Sequence, residues 1–370
     1  MLTFFQNPCI IIYESGRKYK GKFTYSGIFL DMKKICGIIC EFNPLHEGHK
    51  YIIGEARRQG DVVCIMSGNF VERGSSAVAE KYERAVMAAD AGAALVVELP
   101  FPWCAAPAEF FARGGVTVAA ALGVTDLFFG SESGDLSLID AASRLEDDAE
   151  FCRLVSIRHT GAVGYAAARY EACLEYMPDV AGVFSSSNDM LAAEYIRQSR
   201  ALGLAFCFHA VKRIDTPSAS EIREKMNFHD GLEDILKTLF RLGKYDKGSF
   251  DSESGILGLL EKAARRAGSF SESAKTKKYT DSRLRRAALL SVCGVKKSDL
   301  ENAPDFTVLL AASDAGRRIV SGAKGIEVVT KPSDSSSVQY ESEKYADTLY
   351  TLCMENAAAD YFLKKSPYIY

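Results

Sequence analysis

The sequence predicts an α/β protein: a parallel sheet with helices on its faces, followed by a mainly helical C-terminal part. Three observations predict it. Short, nearly all-apolar runs alternate with segments of helical spacing between residues 35 and 129. After about residue 227 the strand signal largely fades and helical spacing dominates. The chain has 370 residues, 48% apolar and 25% charged, values ordinary for a globular protein and long enough for two domains.

The elements follow in order. Residues 35–40 (ICGIIC) are apolar on both faces, as expected for a covered strand. Residues 48–59 place Tyr51, Ile52, Ile53 and Ala56 on one side of a helix. Residues 61–67 (DVVCIMS) are again a strand, 80–91 a helix and 95–99 (LVVEL) a strand. Residues 107–122 read as a helix and 126–129 as a strand. From 136 to 200 the pattern is helical and Ala-rich. Residues 204–211 (LAFCFHAV) look like one more strand, and 218–226 start a helix. Further helices are expected at 230–243, 256–267, 281–293 and 343–363. A domain boundary belongs near residue 228, which divides the chain into 32–228 and 229–370.

Composition sets bounds. The net charge of −3 leaves no global basic footprint, so any nucleic-acid contact must be local. Apolar runs stop well short of the ~20 residues that a membrane helix needs. Ten cysteines are scattered without a Cys-x-x-Cys pair, and Cys36, Cys40, Cys64 and Cys207 sit inside apolar runs. They read as small core residues in a reducing compartment, hence a cytoplasmic protein. Residues 1–31 have no basic start with a sustained apolar core and no clear period, so they make a poor signal peptide. The expectation is that the native start is Met32.

The stretch CEFNPLHEGHKYII puts two of the chain's five histidines, His46 and His49, at the end of the first strand. In a structural reading they cap a helix. A zinc reading fails on spacing, because His-Glu-x-x-His needs histidines four apart and here they are three apart with Gly48 between. A phosphate reading accounts for every residue type. A helix N-terminus offers free N–H groups, Gly48 removes a blocking side chain, and histidines donate to a phosphoryl group gaining charge.

The motif Pro44-Leu45-His46-Glu47-Gly48-His49 resembles the His-x-Gly-His signature of the HIGH-type nucleotidyltransferase superfamily. MSGNFVERG, KYERAVMAADAGAALVVELP, AEFFARGGV, LGVTDLFFGSE, TKKYTDSRLRRAALL and VVTKPSD follow in order. Together they are similar to the bacterial tRNA(Met) cytidine acetate ligase family over roughly residues 33–350. The resemblance implies a doubly wound, Rossmann-like HIGH-type nucleotidyltransferase domain followed by a mainly α-helical domain. It implies ATP-dependent activation of acetate to acetyl-AMP, then acetyl transfer to N4 of the wobble cytidine of elongator tRNA(Met). Mg²⁺ bridging the phosphates is compatible with this, although no carboxylate cluster marks a protein metal site.

The resemblance also implies site residues. His46 and His49 are the catalytic pair. The ATP site runs through Ile39, Cys40, Glu41, Phe42, Asn43, Pro44, Leu45, His46, Glu47, Gly48, His49, Lys50, Tyr51 and Ile52. Glu47 brings a negative charge that must turn outward. Gly130 of FFGSES, Asn188 of SSSNDM and Arg213 of VKRID are further contacts. Asn188 reads equally as a helix N-cap. In SASEIR, Ser218, Ser220 and Arg223 close the site, and Ser218 with Glu221 reads equally as a capping box. The loop before it is short, with only Asp215, Thr216 and Pro217. Arg73 is a candidate substrate contact. Lys81 and Arg84 read as the polar face of a helix.

Residues 275–286 carry Lys275, Lys277, Lys278, Arg283, Arg285 and Arg286 against Asp281 alone, with Tyr279 among them. Such a run is usually a solvated face. Here Tyr279 among the cations allows stacking with phosphate neutralisation, and the resemblance adds the reading of a tRNA contact through Lys277, Lys278, Arg285 and Arg286. Two other functions stay open at this point. One is a nucleotidyltransferase adenylylating another carboxylate or a phosphorylated metabolite; the other is an RNA-binding protein that no longer catalyses.

Overall fold

The computed structural model describes residues 34–159, 163–226, 230–268, 270–274, 276, 279–354 and 357–370. The extension at 1–31, the boundary at 228, and Lys277 and Lys278 lie outside these residues.

Among the described residues, eight strands form one sheet: β1 (Lys34–Cys40), β2 (Gly60–Ser67), β3 (Leu95–Leu99), β4 (Asp126–Ser131), β5 (Cys207–Lys212), β6 (Phe306–Ala312), β7 (Glu327–Val329) and β8 (Tyr368–Ile369). Their order is β5-β4-β1-β2-β3-β6-β7, with β8 also paired to β6. The first five are mutually parallel, and β6 runs antiparallel to β3. The helices between the parallel strands are α1 (Glu47–Arg57), α2 (Lys81–Asp90), α3 (Ala108–Ala121), α4 (Leu136–Leu145), α5 (Ala149–Arg158), α6 (Tyr165–Tyr176), α7 (Ala181–Ser185) and α8 (Ser187–Ala201). After β5 come α9 (Ala219–Lys225), α10 (Leu232–Arg241), α11 (Ser254–Ala264), α12 (Phe270–Ala274), α13 (Asp281–Val292), α14 (Lys297–Glu301), α15 (Asp314–Ser321) and α16 (Tyr340–Thr351).

The double winding follows from register. Ile38 pairs with Phe128, so Phe128 and Gly130 share its face, where a Cβ on Gly130 would meet Ile52 of α1. Ile39 points the other way and touches Gly115 of α3. Helices α1 and α3 therefore cover opposite faces. Gly114 and Gly115 let α3 lie close: a Cβ at either would come within 3 Å of Trp103 or Ile39. The carboxyl ends of β1, β2, β4 and β5 are left together at one edge, where a doubly wound sheet opens its crevice.

Three expectations need correction. The C-terminal part is rich in helices but also supplies β6, β7 and β8, so it extends the sheet. All seven residues of β6 (FTVLLAA) are buried, and it covers β3, which would otherwise be an exposed apolar edge. The expected helix at 343–363 ends at Thr351. Lys81 and Arg84 do not form a polar face. Both are buried, at 1% and 0% exposure, because each has buried partners.

Lys81 Nζ donates to Glu98 at 2.9 Å, to Glu343 at 2.9 Å and to Asp347 at 2.8 Å. The cluster joins α2, β3 and α16. Burial and mutual repulsion push the Glu98 carboxyl well above the usual range, and Asp347 rises to about 7. Asn69 completes it, giving its amide to Asp347 and accepting from the Lys81 backbone.

Among the described cysteines Cys36, Cys40 and Cys64 are buried as expected. Cys207 is half-buried because β5 is an edge strand. It lies near Asp126 and His209, a set with metal-type donors. Asp126 already accepts from Lys34, His209 and Thr125, which gives the group an ion-pair role. No helix among the described residues is long and apolar enough to cross a membrane.

Candidate active site

A cavity of about 600 Å³ opens at the carboxyl ends of β1, β4 and β5. That is the size range of a small-molecule or nucleotide site. Ile39, Cys40, Glu41, Phe42, Asn43, His46, Gly48, His49, Tyr51 and Ile52 line it, all expected from the sequence. So do Gly130, Asn188, Arg213, Ser218, Ser220 and Arg223, which are brought from four further segments, β4, α8, the end of β5 and α9. Arg73 is there too.

Pro44, Leu45, Glu47 and Lys50 do not line it, and the first helical turn explains why. Leu45 packs into the core, while Glu47 and Lys50 lie on the solvent side and pair at 2.8 Å. The charge of Glu47 is thereby turned away from the cavity.

The two histidines build the helix start. His46 is the N-cap of α1, and its Nδ1 accepts from Gly48 N at 3.1 Å. The His46 amide in turn donates to His49 Nδ1 at 3.4 Å, closing a capping box. The rings stack with centroids 3.8 Å apart. Gly48 is required by this stack, because a Cβ there would sit 2.9 Å from the His46 ring. With Nδ1 accepting, the hydrogen-bond pattern assigns the proton of neutral His46 to Nε2, a donor. Burial, then Arg213, lowers the His46 pKa; burial, then His46, lowers His49 to about 3. Both rings are neutral donors at pH 7.

The walls are fixed from behind. Arg84 donates to the carbonyls of Glu41 (2.5 Å), Gly68 and Ala79 (2.9 Å), tying the ends of β1 and β2 to α2. Arg223 donates to the Asn43 carbonyl and, at 3.0 Å, to Ser220 Oγ. The Asn43 side chain accepts from Val78 N at 2.8 Å. Ser218 forms the capping box with Glu221 and also faces the cavity, so both readings hold. Asn188 is not the N-cap of α8. Ser186 occupies that position, and Asn188 donates to Glu132 at 2.9 Å.

Sequence reasoning passed over Glu132, Glu72 and the partners of Asp189. Asp189 is 1% exposed and binds Ser131 Oγ, Glu132 N and Ser133 N, which shapes the loop after β4. Its signal in the sequence is an acid directly after Asn188, at the start of an apolar helix. The cavity carboxylates are all engaged. Glu41 accepts from Glu72 N at 2.8 Å, Glu72 from Arg286 at 2.9 Å, and Glu132 from Asn188 and Asp189 N.

The basic stretch differs from a solvated face. Tyr279 is 6% exposed, with the Arg283 guanidinium 5.2 Å from its ring centre. Arg283 pairs with Asp251 and Glu253, Arg285 with Glu233, and Arg286 with Glu72. A buried tyrosine is not placed to stack on a base. Of the four expected tRNA contacts, Arg285 and Arg286 are committed to internal ion pairs.

The family described as HIGH Nucleotidyl Transferase matches residues 32–231 and 217–364. The chain is 32% identical over 345 residues to the tRNA(Met) cytidine acetate ligase of Thermotoga maritima, covering 76% of this chain and 82% of that protein. It is 29% identical over 399 residues to the tRNA(Met) cytidine acetate ligase of Acetivibrio thermocellus, covering 88% and 96%. The crystal structure of Thermotoga maritima TmcAL bound with alpha-thio ATP superposes with a TM-score of 0.81 at 27% identity, over 91% of this chain and 99% of that one.

Proposed function

This chain belongs to the HIGH nucleotidyl transferases, among the tRNA(Met) cytidine acetate ligases, and from that membership we propose that it is an ATP-dependent tRNA ligase. It activates acetate as acetyl-AMP and acetylates N4 of the wobble cytidine of elongator tRNA(Met), releasing AMP and pyrophosphate. The observation that carries the reading is the stacked, neutral pair His46 and His49 at the head of α1, inside a cavity also lined by Arg213 and Arg223.

The chemistry follows from these groups. Acetate is ionised at pH 7 and needs no general base. Its oxygen attacks the α-phosphorus of ATP, the bond to the β-phosphate oxygen breaks, and pyrophosphate leaves. His46 and His49 donate hydrogen bonds to oxygens whose charge rises in the transition state. Arg213 and Arg223 offset the charge of the phosphates. The cytidine N4 amine then attacks the acetyl carbonyl carbon, loses a proton, and AMP departs. Because the cavity carboxylates are engaged, a Mg²⁺ accompanying ATP would be held by the phosphates rather than by a protein carboxylate set. Residues 32–228 make up the activating part, and 229–370 the part offered to tRNA.

The test is incubation with ATP, labelled acetate and tRNA(Met). N4-acetylcytidine at the wobble position is the expected product. Pyrophosphate release with no label on tRNA would instead support adenylylation of a different acceptor.

A further inference from the structure

We infer that Arg286 is a positioning residue for the activation step, holding one wall of the cavity from the C-terminal part of the chain. The inference rests on reading this cavity as the ATP site.

The wall is the loop after β2. Val71, Glu72, Arg73 and Ser75 of that loop line the cavity. Arg286, on α13, reaches it from outside. Its Nη1 donates to the Glu72 carbonyl at 3.1 Å and to Glu72 Oε1 at 2.9 Å. The Glu72 amide donates to Glu41 Oε1 at 2.8 Å, and Glu41 stands at the end of β1 on the cavity floor. A chain of hydrogen bonds thus runs from α13 through Glu72 to the strand that leads into the histidine motif.

Backbone contact reinforces it. Gly74 has φ +71°, and a Cβ there would lie 2.5 Å from Arg286 N. The loop rests directly on the helix, with glycine as the residue that both the contact and the left-handed conformation permit. The other end of the loop is held by Asp230, which accepts from Ser76 Oγ at 2.6 Å and Ser76 N at 3.2 Å. Both anchors come from beyond residue 229, so the C-terminal part sets where Arg73 stands in the cavity.

Burial separates this role from RNA contact. The Arg286 side chain is only 12% exposed, against 36% for Arg285. An RNA phosphate would have to break the Glu72 pair to reach it. A charged group desolvated in this way, with two bonds to one loop residue, fixes geometry.

The experiment measures acetate-dependent ATP–pyrophosphate exchange without tRNA, ATP affinity by calorimetry, and tRNA affinity by filter binding. Arg286→Ala and Glu72→Gln should each lower exchange efficiency by roughly tenfold to a hundredfold, the scale of a misplaced positioning group, with a raised KM for ATP or acetate. Their effects should not add in the double variant, and Arg286→Lys should recover part of the loss. Wild-type exchange and ATP affinity in Arg286→Ala, with only tRNA binding weakened, would overturn the inference. Should Arg286→Ala fail to fold, Glu72→Gln decides alone, and unchanged exchange overturns it. A wild-type protein without acetate-dependent exchange counts against the proposed function instead. ATP affinity then still tests Arg286, and equal affinity in wild type and variants overturns the inference.

Discussion

His49 shows how one residue carries both structure and chemistry. Its Nδ1 receives the His46 amide, its ring lies under His46 and bonds to the Pro44 carbonyl, and it meets Phe42 with ring centres 5.0 Å apart. Packing of this kind removes water from the ring and lowers its pKa to about 3. The folded protein therefore holds His49 neutral where the unfolded chain, titrating near 6.5, would take up a proton. Stability is lost as pH falls from about 6.5 toward 3, because the unfolded state then binds more protons. His49→Ala should flatten that acid limb, read as denaturant midpoint against pH. The same variant should lower ATP–pyrophosphate exchange by roughly 10² to 10³, the cost of one lost transition-state donor. Wild-type exchange in this variant would remove His49 from the catalytic pair.

At the scale of elements, the decisive contact is the buried lysine between α2, β3 and α16. Three carboxyl groups face one ammonium, all at 6% exposure or less. Breaking a buried ion pair by removing one partner typically costs about 3–5 kcal/mol. Lys81→Met should lose stability on that scale, read from thermal or denaturant unfolding. Without the ammonium the acids must bind protons in the fold, at pKa values above those of the unfolded chain. Stability of the variant therefore falls as pH rises, and its deficit should be smaller at about pH 5 than at about pH 8. A deficit that is constant with pH would mean that the carboxyl groups find other partners.

The molecule as a whole is built so that its two parts do not separate cleanly. Strand β6 lies on the edge of β3, Phe110 of α3 meets Phe250 with ring centres 5.4 Å apart, and the cavity loop is held by Asp230 and Arg286. A fragment ending at residue 226 would expose five buried residues of β3 as an unpaired apolar edge. It would also leave Lys81 facing Glu98 alone. The fragment should aggregate or run as a large species in gel filtration. A monomeric fragment that binds ATP would show that the activating part folds by itself.

Much of this was legible in the sequence. All five parallel strands, and the placement of the histidine motif at the head of α1, follow from apolar runs, helical spacing and capping chemistry, which are local properties. The residues gathered from β4, α8, β5 and α9 were legible through resemblance and are brought together by the parallel register. Periodicity could not reveal what depends on partners distant in the chain. Lys81 and Arg84 have the look of solvent-facing cations, and only the fold brings Glu343 and Asp347 to one and the Glu41 and Gly68 carbonyls to the other. Arg286 and Tyr279 resemble an RNA-binding stretch until the structure supplies Glu72 and a buried ring. Local sequence sets which segments are strands and helices because backbone preference and apolar period act within a few residues. Which charges meet is decided by tertiary structure, because their pairing energy depends on burial and on partners hundreds of residues away.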